Sequence, residues 1–93
     1  MTPQEFENLR KEKGSFYLYF YSPTCPTCRR IKPLLSILKY SIYPINGDKY
    51  EEILDTFEIE YYPSLLEINK NDITLYSGSK SIRNLIRDLE KQK

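Results

Sequence analysis

The sequence predicts an α/β domain of layered type, a small sheet with helices packed on its faces. Three observations predict it. The run Phe16-Tyr17-Leu18-Tyr19-Phe20-Tyr21 is aromatic or aliphatic at both alternating positions, the pattern of a central strand buried on both sides. Apolar residues at helical spacing precede and follow that run. Finally, 93 residues with 40% hydrophobic and 29% charged side chains suit one ordered domain, 1–93, with a core of its own and no second unit.

Taken in order, Thr2-Pro3-Gln4-Glu5 supplies a capping oxygen, a proline for the first helical position and a glutamate three residues after the cap. A first helix is expected over about Pro3 to Lys13, ended by Gly14. The buried strand follows. After Cys25 the residues Ile31, Leu34, Leu35, Ile37 and Leu38 trace a helical stripe, so a helix is expected from Cys25 to about Tyr40, kinked by Pro33. Ile42-Tyr43-Pro44-Ile45 is a short strand whose proline suits a sheet edge. Tyr50 to Phe57 is an amphipathic helix with Ile53, Leu54 and Phe57 inward. Ser64 to Asn69 and Ile73 to Tyr76 form a hairpin turning at Lys70-Asn71-Asp72. Gly78 is expected to break the pattern before a last helix, capped by Ser79 or Ser81, that carries Ile82, Leu85, Ile86 and Leu89. The order is α, β, α, β, α, β, β, α.

Composition removes several classes of function. A formal charge of +1 with dispersed basic residues leaves no footprint for nucleic acid or a membrane surface. The short clusters Arg29-Arg30-Lys32 and Lys91-Lys93 read as solvated faces. No histidine is present, which excludes Cys-His and Ser-His-Asp catalysis and the usual zinc hydrolase ligand sets. Gly14, Gly47 and Gly78 are too far apart for a phosphate-cradling loop. The polar start MTPQEFENLRKEKG lacks a secretory apolar core, and no stretch is long and apolar enough for a membrane span. The expected setting is therefore the cytoplasm, where a cysteine pair is catalytic or metal-binding rather than a structural staple.

Both cysteines fall in one stretch, Phe20-Tyr21-Ser22-Pro23-Thr24-Cys25-Pro26-Thr27-Cys28-Arg29-Arg30. Cys25 stands where the strand ends and a helix begins, so helix N–H groups and about half a positive charge face its sulfur and favour the thiolate. Cys28, one turn on and more enclosed, is within reach of it. The pair reads as thiol–disulfide exchange: Cys25 attacks a substrate disulfide and Cys28 resolves the mixed disulfide, with no metal or organic cofactor beyond the redox-active Cys25–Cys28 pair. Two rival readings stand beside it. A dimer sharing four thiolates would bind zinc, and a pair of inert core cysteines would do nothing.

With these residues in view, the sequence resembles the thioredoxin superfamily over nearly its whole length. The resemblance rests on Cys25-Pro26-Thr27-Cys28 after a buried strand, on Pro33 five residues beyond the second cysteine, and on Tyr62-Pro63 before a hydrophobic strand. It implies a three-layer thioredoxin-like fold with a minimal four-stranded mixed sheet flanked by helices. It also implies a cis Tyr62-Pro63 bond beside the dithiol and a glycine, Gly78, after the hairpin. Departures are visible. Thioredoxins usually have Trp-Cys-Gly-Pro-Cys, whereas Thr24 precedes Cys25 here; they carry a buried aspartate six residues before the first cysteine, where Tyr19 stands. Cys-Pro-x-Cys looks like glutaredoxins, but Ser77-Gly78-Ser79-Lys80 matches their glutathione-binding turn only in part.

The resemblance implies a cytoplasmic, monomeric oxidoreductase that reduces protein disulfides, with ribonucleotide reductase as one client by family analogy. Its electrons would come from a thioredoxin reductase or from glutathione. Cys25 and Cys28 carry the chemistry, and Tyr21, Thr24, Tyr62, Pro63 and Gly78 surround the substrate, Tyr21 and Tyr62 as an apolar platform. Arg29 is the candidate for a glutathione carboxylate. Two alternatives are a glutathione-dependent glutaredoxin and a non-catalytic binding module that keeps the fold as a scaffold; retention of both cysteines speaks against the second.

Overall fold

A computed structural model describes residues 2–70 and 72–92. Helix α1 spans Pro3–Lys13 and is closed by a capping box: the Glu5 N–H donates to Thr2 Oγ1 and the Thr2 N–H to Glu5 Oε1, both at 3.2 Å. Gly14, at φ 74°, ends it and lets the chain turn straight into β1, Ser15–Tyr21. Helix α2 covers Pro26–Ile31, β2 Ile42–Asn46, α3 Glu51–Thr56, β3 Ser64–Asn69, β4 Asp72–Ser77 and α4 Gly78–Lys91.

The four strands form one mixed sheet in the order β2-β1-β3-β4. β1 runs parallel to β2, with Tyr19 opposite Pro44, and antiparallel to β3, with Leu18 opposite Leu66. Strand β4 completes an antiparallel hairpin with β3. Pro44 costs the ladder no bond on its outer side because β2 is an edge.

Alternation along β1 divides the core between two faces. Phe16, Leu18 and Phe20 join Phe6 of α1 and Ile53 and Leu54 of α3 on one. Tyr17 and Tyr19 join Ile31, Leu35, Ile82 and Ile86 on the other, under α2 and α4. Each residue from Phe16 to Phe20 is buried, as the double-sided apolar run requires. Tyrosine hydroxyls buried on the second face find partners. Tyr17 donates to Glu67 Oε1 at 3.1 Å and Tyr76 to Glu67 Oε2 at 3.4 Å, and among the described residues no buried side-chain polar atom lacks a partner.

Two local expectations are corrected. The helix after Cys25 does not run to Tyr40 around a kink: α2 ends at Ile31, a 3₁₀ helix covers Lys32–Ile37, and Leu38 is extended. Pro33 has no N–H for the Arg29 carbonyl and its ring crowds that turn, so the chain tightens instead of continuing. Nor does Gly78 separate strand from helix. Helix α4 begins at Gly78 itself, with Ser77 at the cap position making no side-chain bond, so Ser79 and Ser81 lie inside the helix. Gly78 has φ 83°, and this left-handed conformation carries β4 into α4 without a loop. In the hairpin turn, Lys70 has φ 54° while Asn71 lies outside the described residues, as does Lys93 of the terminal basic cluster.

Gly47, directly after β2, fixes the ring of Tyr62. A Cβ built there would lie 1.8 Å from the Tyr62 hydroxyl oxygen and 2.4 Å from Cζ. Gly47→Ala is therefore expected to displace the Tyr62 ring and cost about 1–3 kcal/mol in denaturant unfolding. In a Tyr62→Ala background the same substitution should be close to neutral, and a double-mutant cycle measures that coupling.

Candidate active site

Four chain segments meet at one end of the sheet. Parallel pairing puts the C-terminal ends of β1 and β2 side by side, and the antiparallel β3 brings its N-terminal end to the same place. The Ser22–Cys25 turn leaves β1 there. A backbone bond from the Cys25 N–H to the Ser22 carbonyl, 3.1 Å, tightens it, and the Ser22 and Thr24 hydroxyls sit 3.1 Å apart. Pro26 occupies the first position of α2, where no N–H is needed.

Cys25 is the N-cap of α2. Its sulfur accepts the Cys28 N–H at 3.2 Å and is partly exposed, whereas Cys28 retains only 3% exposure; both are free thiols. A backbone donor thus points at the outer sulfur, where negative charge resides when that sulfur attacks or leaves. The inner sulfur is treated differently. Burial first, and then its hydrogen bond with Cys25, pushes the Cys28 thiol up to about 11, while the Ser22 backbone and the Tyr19 hydroxyl pull the other way.

Pro63 is fully buried, and the Tyr62–Pro63 bond is cis. The Pro63 carbonyl accepts the Gly78 N–H at 2.9 Å, so the start of α4 is tied to the loop that faces the dithiol. Ser64, also buried, spends its hydroxyl on the Tyr61 carbonyl and closes that loop. Tyr61 is the most open of the exposed large apolar side chains, at 62%.

The sequence candidates do not all gather in one place. Tyr62 packs on the core face under α1 and α3, whereas Tyr21 packs on the face under α2 and α4, stacked on Tyr19 at 5.8 Å. The two tyrosines therefore flank the site from opposite faces rather than forming a continuous platform. Thr24 is exposed on the turn. The Arg29 guanidinium donates to the Pro23 carbonyl at 3.2 Å and, with Lys32, Tyr19, Tyr21, Cys28 and Pro44, lines a cavity of about 230 Å³ behind the inner sulfur. Ser22 and Gly47 were not legible as site residues, and Gly47 matters through a ring brought to it from fifteen positions further along the chain. Tyr19 was marked only by standing where the resemblance places a buried aspartate, and otherwise had the pattern of a core residue. Groups of three or more potential metal-binding side chains are absent among the described residues, and no helix among them is long and apolar enough to cross a membrane.

The unequal sulfurs generate two expectations. Iodoacetamide on the reduced protein at pH 7 should label Cys25 well ahead of Cys28, because the inner thiol is buried and its proton is held up to about 11. Peptide mapping of the labelled protein reads this directly. The second concerns pH. An unfolded thiol ionises near ~8.5, below the folded value for Cys28, so the unfolded state loses its proton first. Stability linked to this group is thus complete below ~8.5 and falls as pH rises toward 11. Urea titrations of the reduced protein between pH 8 and 10 should show a fall that is shallower in Cys28→Ser.

Comparison with known proteins agrees with this geometry. The thioredoxin family model matches residues 1–91. Protein disulfide-isomerase 5-2 from Arabidopsis thaliana is 28% identical over 100 residues, covering 98% of this chain and 23% of the relative. Protein disulfide isomerase-like 5-3 from Oryza sativa subsp. japonica is 27% identical over 95 residues, covering 92% of this chain and 22% of the relative. The chain thus spans less than a quarter of the length of these curated relatives. Among solved structures, Fasciola hepatica thioredoxin has a TM-score of 0.75 at 22% identity, covering 94% of this chain and 93% of that one. The first thioredoxin domain of mouse Protein disulfide-isomerase A4 has a TM-score of 0.67 at 19% identity, covering 98% and 71%. With the mixed four-stranded sheet, its flanking helices and a dithiol at the start of α2 in place, the chain belongs to the thioredoxin family.

Proposed function

We propose that this protein is a thiol–disulfide oxidoreductase that reduces disulfides in protein clients of the cytoplasm. One observation carries the reading: a partly exposed sulfur at the head of α2, held by the Cys28 N–H at 3.2 Å, stands directly in front of a buried second thiol. The Cys25 thiolate attacks one sulfur of the client disulfide, the other client sulfur leaves with the bonding pair, and it takes up a proton. Cys28 then loses its proton and attacks Cys25, and the second client sulfur departs. The dithiol has given two electrons and ends as the Cys25–Cys28 disulfide. Regeneration falls to a thioredoxin reductase or to glutathione, and ribonucleotide reductase is a client of suitable chemistry.

Reduction rather than oxidation of clients requires a low potential. Equilibration against glutathione should place the pair near the roughly −270 mV of thioredoxin; a value near −180 mV, that of protein disulfide isomerase, would reverse the proposed direction. Cys28→Ser should accumulate mixed disulfides through Cys25 that reductant dissolves, and a variant that traps none on exposure to oxidised protein clients would refute the assignment. Arg29 decides the donor. If glutathione is the reductant, Arg29→Ala slows glutathione-dependent turnover several-fold at unchanged stability, since an exposed charge contributes little to folding. Unchanged turnover assigns regeneration to a reductase.

A further inference from the structure

Resolution of a mixed disulfide needs the inner thiol to shed its proton, and the surroundings of Cys28 show how few groups can help. From β1 it is faced by Tyr19 and Tyr21, from the turn by Ser22 and Cys25, from α2 and the residue after it by Arg29 and Lys32, and from the loop before β3 by Tyr62. Among the described residues no carboxylate lines the cavity behind it. Asp48 joins this network only through Ser22, whose hydroxyl lies 3.5 Å from Asp48 Oδ2, and Asp48 is exposed.

Tyr19 stands apart from the others. Its hydroxyl donates to the Cys28 carbonyl at 2.7 Å in a buried contact. That carbonyl already receives the Lys32 N–H, so the phenol is not required to satisfy it. The same phenol favours the ionised form of the Cys28 thiol. The resting hydroxyl is therefore bonded to the backbone of the residue whose thiolate it favours. Tyr19 itself is no base, because burial holds its phenol above its ordinary range and keeps it protonated.

We propose that Tyr19 is the positioning residue of the resolving cysteine: its hydroxyl holds the Cys28 carbonyl in the resting dithiol and turns to the sulfur as the thiolate forms, while the proton leaves through water in the adjoining cavity. The inference rests on the exchange reading above. Each step balances. The Cys28 S–H bond breaks, its proton passes to a water molecule, and its electron pair forms the bond to the Cys25 sulfur. The bond from Cys25 to the client breaks, and the departing client sulfur is protonated from water. Tyr19 keeps its own proton throughout.

Reaction of the reduced protein with dithiobis(nitrobenzoate) separates the steps, because attack by Cys25 releases one nitrothiobenzoate and attack by Cys28 on the mixed disulfide releases the second. In Tyr19→Phe the first release should be unchanged. The second should slow about three- to tenfold at pH 7, with its pH profile displaced to higher pH, as expected for loss of one hydrogen bond to a charged sulfur. Tyr17→Phe, on the same strand and face but bonded to Glu67, should alter neither release. An unmoved second profile in folded Tyr19→Phe, or an equal slowing in Tyr17→Phe, overturns the proposal. Absence of any first release from the parent protein overturns the exchange reading itself. Should Tyr19→Phe fail to fold, the parent profile decides: the second release should rise through one ionisation in the thiol range above ~8, and an inflection in the carboxylate range of about 4–6 refutes the route.

Discussion

β1 lies between β2 and β3, and its five residues from Phe16 to Phe20 are buried, so the point at which the chain leaves the sheet is set by packing on both sides. Close-packed interiors resist displacement of even a methylene group. The Ser22–Cys25 turn therefore starts from a rigid anchor, and it hands the chain to α2 with Cys25 as the cap. Tyr17, Tyr19 and Tyr21 follow from the same constraint. They are the odd positions of the anchored strand and must face the layer that α2 and α4 build. Hydroxyls in such a layer need partners, and those partners are Glu67 for Tyr17 and the Cys28 backbone for Tyr19.

The division of labour between the sulfurs is a consequence of one helical turn. Two intervening residues bring the Cys28 N–H within 3.2 Å of Cys25 Sγ and at the same time rotate the Cys28 side chain toward the core. Exposure on one side and desolvation on the other then separate the two thiols. The inner thiol stays protonated until a partner disulfide gives it something to attack. A dithiol so arranged resists unproductive oxidation of its buried member, since the thiolate is the form that oxidants meet.

Much of this was legible in the sequence. The two-sided run at 16–21, the proline in β2 and the capping box at Thr2 each express a local rule that tertiary structure does not overrule. The cysteines were legible because their spacing has few other uses. What stayed hidden depends on residues distant in sequence. Gly78 carries the punctuation of a helix terminator, yet the hairpin delivers it beside Pro63, whose carbonyl takes its N–H, and a helix starts where a break was expected. Pro33 has two permitted outcomes, a kink or a change to 3₁₀ geometry, and its position alone does not choose between them; here the 3₁₀ helix Lys32–Ile37 buries Leu35 against the sheet. Tyr19 stands where the resemblance places a buried aspartate, but that its hydroxyl ends on the Cys28 carbonyl depends on the packing of α2 over β1.

The loop before β3 shows how the sheet order turns separate details into one site. Parallel β1 and β2 end together, so Gly47 comes beside the residues that follow Tyr21, and the Gly47 N–H donates to the Tyr21 carbonyl at 2.8 Å. Because β3 is antiparallel to β1, Tyr62 and Pro63 enter at that same end, and the absence of a side chain at Gly47 leaves room for the Tyr62 ring. β4 then returns to it, bringing Gly78 to the Pro63 carbonyl. Tyr62 is thus held by β2, Pro63 by α4 and Cys25 by β1, each through an interaction that leaves the Cys25 sulfur partly open. The surfaces beside that sulfur are fixed separately from it, and displacement of Tyr62 or Pro63 moves a wall of the site without moving the dithiol itself.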